Sequence, residues 1–344
     1  MKTNPFFNTK LESIEVKKNK TISQLLEEMA KTGFQGRKLG EAVDAWASML
    51  REEGLTVILG LTGSMSTTGQ WKIINWLIDN RFIDVLVSSG ANISEDILEA
   101  MGGTYWQGSH TVDDVKLLKY KIDRFYDVYA DEMEYRQMES LIADFMKSLQ
   151  SDDKYSSADF LHLFGKELSK RGVNSIVAKA YEKKIPVFCP AIVDSAYGIA
   201  YLLSQKLGKN FNLNIDEMKG FEQIVKIKGA AKNTGAIFIG GGVPKDFIQL
   251  TTVARSLTES RRYERIYPHK YAVQITTDSQ QWGGLSGCTF DEAISWGKTS
   301  NDGVNVQCHC DATIALPIIV HALAERIERR ADYPDFSWFF KNRS

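Results

Sequence analysis

The sequence predicts an α/β fold: a doubly wound, Rossmann-like, mostly parallel sheet with helices on both faces and an N-terminal helical extension. Two patterns predict it. Short apolar, β-rich runs that end in glycines or small polar residues alternate with segments whose apolar residues recur at helical spacing. At least five such strands occur in this alternation, the signature of parallel strands joined by crossover helices. Composition agrees, because 344 residues with 43% apolar and 25% charged side chains describe a soluble globular chain.

The elements follow in order. Residues 1–50 form an arm and helices: "TISQLLEEMAKTG" opens on a Thr/Ser cap and stops at a glycine, and "KLGEAVDAWASMLREEG" repeats the pattern. The period then changes. "LTVILGLTG" from Leu55 is a buried strand, "GQWKIINWLIDNRF" a helix, and "IDVLVSSGANISED" a strand with its loop. Residues 105–155 are a charged, aromatic-rich insertion expected to be helical, with "DRFYDVYADEMEYRQMESLIADFMKSL" as its main piece. "SIVAKAYEKKIPVFCPAIVDSAYG" gives helix, strand and loop, and "GAIFIGGGVPKDFIQL" a strand, three glycines and a helix start. "YAVQITTDS" and "VNVQCHCDATIALPII" supply the last two strands. No repeat or linker divides residues 51–344, so one catalytic domain carrying the 105–155 insertion is the expectation.

Charge and cysteine usage exclude several classes. A formal net charge of −1 leaves no basic field for nucleic acid or an anionic membrane. "ATIALPIIVHALA" from Ala312 is too short to span a bilayer and contains a proline. The first residues lack an apolar signal core, and four cysteines make no disulfide framework, so a cytoplasmic protein is expected. Cys308-His309-Cys310 resembles a metal cluster, yet neighbouring side chains on a strand point to opposite faces and no second ligand pair follows. No metal site is expected. His110, His162, His269, His309 and His321 have no triad-like setting.

Ligands of open α/β sheets bind beyond the carboxyl ends of the strands. Here those ends read "GLTGSMSTTG", "SSGANISED", "AIVDSAYG", "GGGVPKD", "TTDSQQWGG" and "CDAT". Glycines admit a close ligand, helix starts suit phosphates, and Glu95, Asp194 and Asp311 offer carboxylates to a ribose. The G-x-G-x-x-G spacing and the Walker lysine motif are absent. Six such loops on one edge nevertheless point to a nucleotide-sized site.

"FDEAISWGK" reads as a short helix whose last turn carries Trp296 and Lys298, stopped near Gly297. One reading of Lys298 is a solvated cation favoured by the helix dipole. The other is a lysine partly desolvated against indole, able to form an imine as a free amine, with Glu292 as a carboxylate partner for an amine. The residues alone leave both open.

Together these motifs resemble the deoxyhypusine synthase family, and within it the bacterial deoxyhypusine-synthase-like branch. The resemblance rests on "DEAISWGK", on Ile239-Gly240-Gly241-Gly242-Val243, on "CPAIVDS", and on "CDAT", with 13 residues from Lys298 to Asp311. "GLTGSMSTTG" and "IDVLVSSGANISED" extend it over residues 55–323. It implies an NAD-dependent aminobutyl transferase in which Lys298 captures the aminobutyl group as an imine. Trp296 and Glu292 then fall on pocket positions. Ser64, Met65, Thr67, Ser89, Gly90, Glu95, Asp194, Gly240, Gly241, Gly242, Thr277, Asp278, Asp311 and Ala312 fall on the NAD set. A homotetramer with NAD sites at subunit interfaces is implied as well.

Three positions depart from the family pattern. Asp246 replaces a histidine, and Ile199 and Leu285 stand where the family has amine-binding aspartates. Each lost charged hydrogen bond is worth about 1.5–3 kcal/mol, so a polycationic donor such as spermidine is disfavoured. The expected reaction is therefore transfer between small amines, such as homospermidine synthesis from putrescine, with Asp246 among the substrate-binding residues. The alternatives are deoxyhypusine synthase acting on a protein lysine, and a catalytically silent NAD-binding homologue.

Overall fold

β1 (Leu55–Leu61) is buried at every residue, as a central strand covered on both faces must be. The computed structural model describes residues 7–149, 153–207, 212–259, 264–330 and 332–341. The other strands are β2 (Val85–Ser88), β3 (Tyr105–Gln107), β4 (Ile122–Phe125), β5 (Val128–Asp131), β6 (Lys154–Tyr155), β7 (Val187–Phe188), β8 (Asn214–Ile215), β9 (Asn233–Ile239), β10 (His269–Thr276) and β11 (Thr299–His309). Fourteen α-helices accompany them among the described residues. The first seven are α1 (Ile22–Met29), α2 (Phe34–Arg51), α3 (Trp71–Asp79), α4 (Glu95–Ala100), α5 (Asp114–Tyr120), α6 (Glu132–Ser148) and α7 (Ser157–Lys170). The rest are α8 (Ile176–Glu182), α9 (Ala196–Leu207), α10 (Glu217–Ala230), α11 (Gly242–Glu259), α12 (Phe290–Ser295), α13 (Ala312–Arg326) and α14 (Ser337–Phe340).

Six strands form the main sheet in the order β11-β10-β9-β1-β2-β7, and every pairing is parallel. The chain runs from β1 outward through β2 to β7, then returns to the other side of β1 and runs out through β9, β10 and β11. The order reverses between β1 and β9. Loops leaving these two strands therefore diverge, opening the crevice in which doubly wound sheets hold dinucleotides.

The strands' two-residue period sorts the core into two layers. Val57, Leu59, Leu61, Ile237, Ile239, Val273 and Ile275 face one side, with α2, α3 and α13 packed on it. Ile58, Val85, Val87, Ala236, Phe238 and Ala272 face the other, against Ile224 and Ile227 of α10, Ile248 of α11 and Phe290 of α12. α2 lies against β10 and β11 and buries Ala42, Val43, Trp46 and Met49, so this early helix is part of a layer on the sheet. Among the described residues no helix is long and apolar enough to cross a membrane.

The 105–155 insertion differs from its expected helical character. Only α5 and α6 are helical; β3, β5 and β4 form a small antiparallel sheet, and "DRFYDVYAD" is largely its hairpin. Alternating aromatic and β-branched residues suit a pleated, half-buried surface, and this local preference wins over the flanking helical pattern. Asp131 then caps α6 by accepting from the Met133 and Glu134 amides.

Asp96, in the first turn of α4, is fully buried. One carboxylate oxygen accepts from the Ile176 amide at 2.5 Å, at the start of α8, and the other has no partner. Burial pushes its carboxyl up to about 7 from an ordinary value of 3.8. The folded chain thus holds a proton that the unfolded chain has already lost, and stability falls as pH rises from about 4 to about 7. Asp96→Asn keeps an acceptor for Ile176 without the charge. It is expected to raise the melting temperature at pH 8, with the gain vanishing towards pH 4; a gain independent of pH would refute this account.

Candidate active site

Local backbone chemistry places Lys298. Thr289 caps α12 by accepting from the Glu292 amide at 3.1 Å. Gly297, at φ 67°, ends the helix in the left-handed conformation that glycine adopts without a Cβ penalty. Its N–H donates to Ile294 O at 2.9 Å, and the Lys298 N–H donates to Ala293 O at 3.0 Å, the paired bonds of a Schellman motif. Lys298 therefore lies just beyond the helix instead of in its last turn, and the chain enters β11 at once.

The lysine is not a solvated surface cation. Lys298 is 9% exposed, its Nζ donates to Asp246 Oδ1 at 2.9 Å, and the Trp296 ring centroid lies 5.5 Å from Nζ. Trp296 itself is 59% exposed, so the indole forms an open wall beside the amine. The carboxylate hydrogen-bonded to Nζ is that of Asp246 and not that of Glu292. Glu292 sits in the exposed first turn of α12 with its carboxylate towards the Cys288 thiol. Two turns of helix geometry separate it from Lys298, whereas Asp246 approaches from α11 on the facing side.

Asp246 ties the lysine to the glycine turn. It lies four residues beyond Gly242, one helical turn or roughly 6 Å along α11. Gly240 (φ 77°) and Gly242 (φ 57°) both need the left-handed region, and a Cβ on Gly241 would come within 2.5 Å of Ser286 Cα. Ser286 Oγ accepts from the Gly242 amide at 3.0 Å, and Thr62 Oγ1 donates to Gly241 O at 2.6 Å. The turn after β9 is thus held between the loop after β1 and the segment leading to α12.

Sequence reasoning missed Lys245, whose role rests on burial. It is 0% exposed, and its Nζ donates to Gln274 Oε1 at 3.0 Å, Leu285 O at 3.2 Å and Cys288 O at 2.7 Å. Burial pushes its ammonium down to about 8. Gln274 Nε2 in turn donates to Gly240 O and Ser286 O, both at 2.8 Å. This network locks the 285–288 segment over the glycine turn. No local signal marked Lys245, since it stands between Pro244 and Asp246 in an ordinary first turn of α11.

Across the crevice, the loops after β1 and β2 share one polar knot. Asn92, also missed from sequence, accepts from the Met65 amide at 2.7 Å and donates to Gly63 O at 2.8 Å and Ser89 Oγ at 2.9 Å. Ser64 Oγ donates to the buried Glu95 carboxylate, and Thr67 Oγ1 lies 3.0 Å from Ser64 Oγ. Burial pushes the Glu95 carboxyl up, opposed by the Ser64 hydrogen bond. The insertion supports this corner, because Tyr105 Oη donates to Glu95 O at 2.9 Å.

Ser64, Met65, Thr67, Ser89, Gly90 and Glu95 therefore meet on one side of the crevice, Gly240, Gly241 and Gly242 on the other, and Asp194 lies in the exposed turn after β7. Thr277 and Asp278 follow β10. Asp311 and Ala312 follow β11, two strand spacings or roughly 10 Å from β9. Asp311 caps α13, accepting from the Thr313 hydroxyl at 2.6 Å and amide at 2.7 Å, and these bonds hold its carboxyl below the usual range. All these positions share the carboxyl edge of the sheet. A dinucleotide fits that edge on three counts: the reversal of strand order, a glycine turn without side chains, and a buried carboxylate with its hydroxyl partner. Among the described residues no cluster of three His, Cys, Asp or Glu side chains is arranged to hold a metal.

Known proteins resemble this chain along nearly its whole length. Residues 24–323 match the family model described as deoxyhypusine synthase. "Probable deoxyhypusine synthase 2" of Methanosarcina mazei is 46% identical over 343 residues, covering 98% of this chain and 96% of the relative. The Archaeoglobus fulgidus protein of the same name is 48% identical over 309 residues, covering 90% and 99%. The "Deoxyhypusine synthase-like protein" of Chlorobaculum tepidum is 40% identical over 318 residues, covering 91% and 89%. In fold, the crystal structure of a deoxyhypusine synthase candidate from Entamoeba histolytica superposes with a TM-score of 0.65 at 17% identity, covering 94% of this chain and 99% of the other. With a family model spanning most of the chain and relatives 40–48% identical over most of their length, the chain belongs to the deoxyhypusine synthase family, whose members are NAD-dependent transferases of aminobutyl groups.

Proposed function

We propose that the protein moves an aminoalkyl group between small amines through an imine on Lys298, as in homospermidine synthesis from putrescine. The observation that carries this is the Lys298–Asp246 pair, held beside Trp296 and one helical turn from the glycine triplet. A substrate carbon at that point is within reach of both the crevice and the amine. NAD, bound along the carboxyl edge by Ser64, Met65, Thr67, Ser89, Gly90, Glu95, Asp194, Gly240, Gly241, Gly242, Thr277, Asp278, Asp311 and Ala312, supplies the hydride acceptor that side chains lack. The indole of Trp296 covers the alkyl chain and stabilises ammonium groups over its face. Glu292 receives an ammonium at the exposed rim.

The choice of a small amine rests on two apolar side chains. Leu285 is 37% exposed and Ile199 44% exposed, at the two positions where the family resemblance calls for amine-binding aspartates. Neither compensates an inner ammonium of a longer polyamine. We place the active sites in a homotetramer, at its subunit interfaces.

Treating the protein with NAD, putrescine and borohydride is expected to leave an aminoalkyl adduct on Lys298, and product analysis without borohydride to yield homospermidine. Absence of adduct and product across diamines, polyamines and agmatine would sink the proposal. The names of the Methanosarcina and Archaeoglobus relatives favour a second reading, transfer to a protein lysine. That reading requires labelled spermidine to mark a protein acceptor, and product analysis separates the two.

A further inference from the structure

An ammonium has no lone pair, so Lys298 must lose a proton before its nitrogen can bond to carbon. Asp246 Oδ1, at 2.9 Å, is the hydrogen-bond partner of Nζ among the described residues. The neighbouring groups do not serve as acceptors. Lys245 spends its Nζ–H groups on Gln274 Oε1, Leu285 O and Cys288 O and is itself a donor. Burial pushes the Cys288 thiol up, so it keeps its proton. Glu292 faces Cys288. Asp246 is also partly exposed, with its side chain 31% exposed against 11% for Lys298, so a substrate nitrogen can reach the same carboxylate.

We infer that Asp246 is the proton carrier of the transfer step, passing protons from Lys298 Nζ to the nitrogen that departs from the donor. This rests on the aminoalkyl-transfer reading above. Nζ begins as an ammonium with three hydrogens and ends in a protonated imine with one. The donor nitrogen begins in a protonated imine and leaves as an ammonium, gaining two. Asp246 takes the first proton from Nζ, whose lone pair then forms the new C–N bond to the imine carbon. The carboxylic acid gives that proton to the donor nitrogen. The carboxylate takes the second proton from Nζ as the old C–N bond breaks, and hands it to the departing amine. Charge and protons balance with no further reagent, and the reverse sequence releases the group to the acceptor. The same carboxylate serves both directions.

The test compares wild type, Asp246→Asn and Asp246→Glu. Each is mixed with NAD and putrescine, quenched with borohydride over time, and assayed for the Lys298 adduct by peptide mass spectrometry. NAD affinity is measured separately by tryptophan fluorescence. Asp246→Asn is expected to bind NAD as wild type does and to accumulate adduct about 100-fold more slowly, the scale of lost general acid–base catalysis. Asp246→Glu is expected to recover part of the rate. If the carboxylate only stabilised the ammonium, Asp246→Asn would free the amine and trap as fast as wild type or faster, which overturns the inference. A Glu variant as slow as Asn, or an Asn variant that no longer binds NAD, also overturns it. A wild type that forms no adduct fails earlier, at the Lys298 imine itself.

Discussion

Lys298→Arg is expected to abolish aminoalkyl transfer, by about 10³-fold or more, the scale seen when a covalent nucleophile is removed, while NAD still binds. Arginine keeps the charge that pairs with Asp246 and the contact with the Trp296 face, so the surroundings of the site persist. What it lacks is an amine that becomes neutral and bonds to carbon. Product formation with putrescine reads the loss, and borohydride trapping shows the missing adduct. A Lys298→Arg enzyme that still transfers the group would remove the lysine from the chemistry.

The largest expected loss of stability lies far from the site. Arg330 and Asp84 are both fully buried; one Arg330 nitrogen meets the two Asp84 carboxylate oxygens at 3.0 and 2.9 Å. The same guanidinium donates to Arg81 O at 3.0 Å and Leu55 O at 2.7 Å, and Asp84 accepts from the Val57 amide at 2.7 Å. This pair fastens the segment after α13 to the amino ends of β1 and β2. Arg330→Met leaves a carboxylate buried without its cation and is expected to cost about 3–5 kcal/mol in chemical denaturation. Adding Asp84→Asn is expected to return part of that. A single variant as stable as wild type would show that the pair is dispensable.

How the site was legible depends on distance along the chain. The helix stop at Gly297 and the lysine behind it are local, because a glycine in the left-handed conformation and two backbone bonds determine the turn. The glycine triplet after β9 and the hydroxyl-rich loops after β1 and β2 were visible for the same reason. The partner of Lys298 was not, since Asp246 lies 52 residues away. Glu292, though nearer in sequence, lies towards Cys288. Lys245 carries no local mark of its burial, because the carbonyls that receive it, on Leu285 and Cys288, lie 40 and 43 residues further along the chain.

By itself the sequence determined the α/β alternation, the placement of polar loops at strand ends and the family, because periodicity, turn chemistry and motifs are written in neighbouring residues. Tertiary structure decided the strand order that opens the crevice between β1 and β9, the small antiparallel sheet of the insertion, and the choice of Asp246 as the carboxylate on Lys298. Each of these depends on which surfaces meet after the chain closes, and burial then turns an ordinary lysine or aspartate into a group that holds a loop or receives a proton.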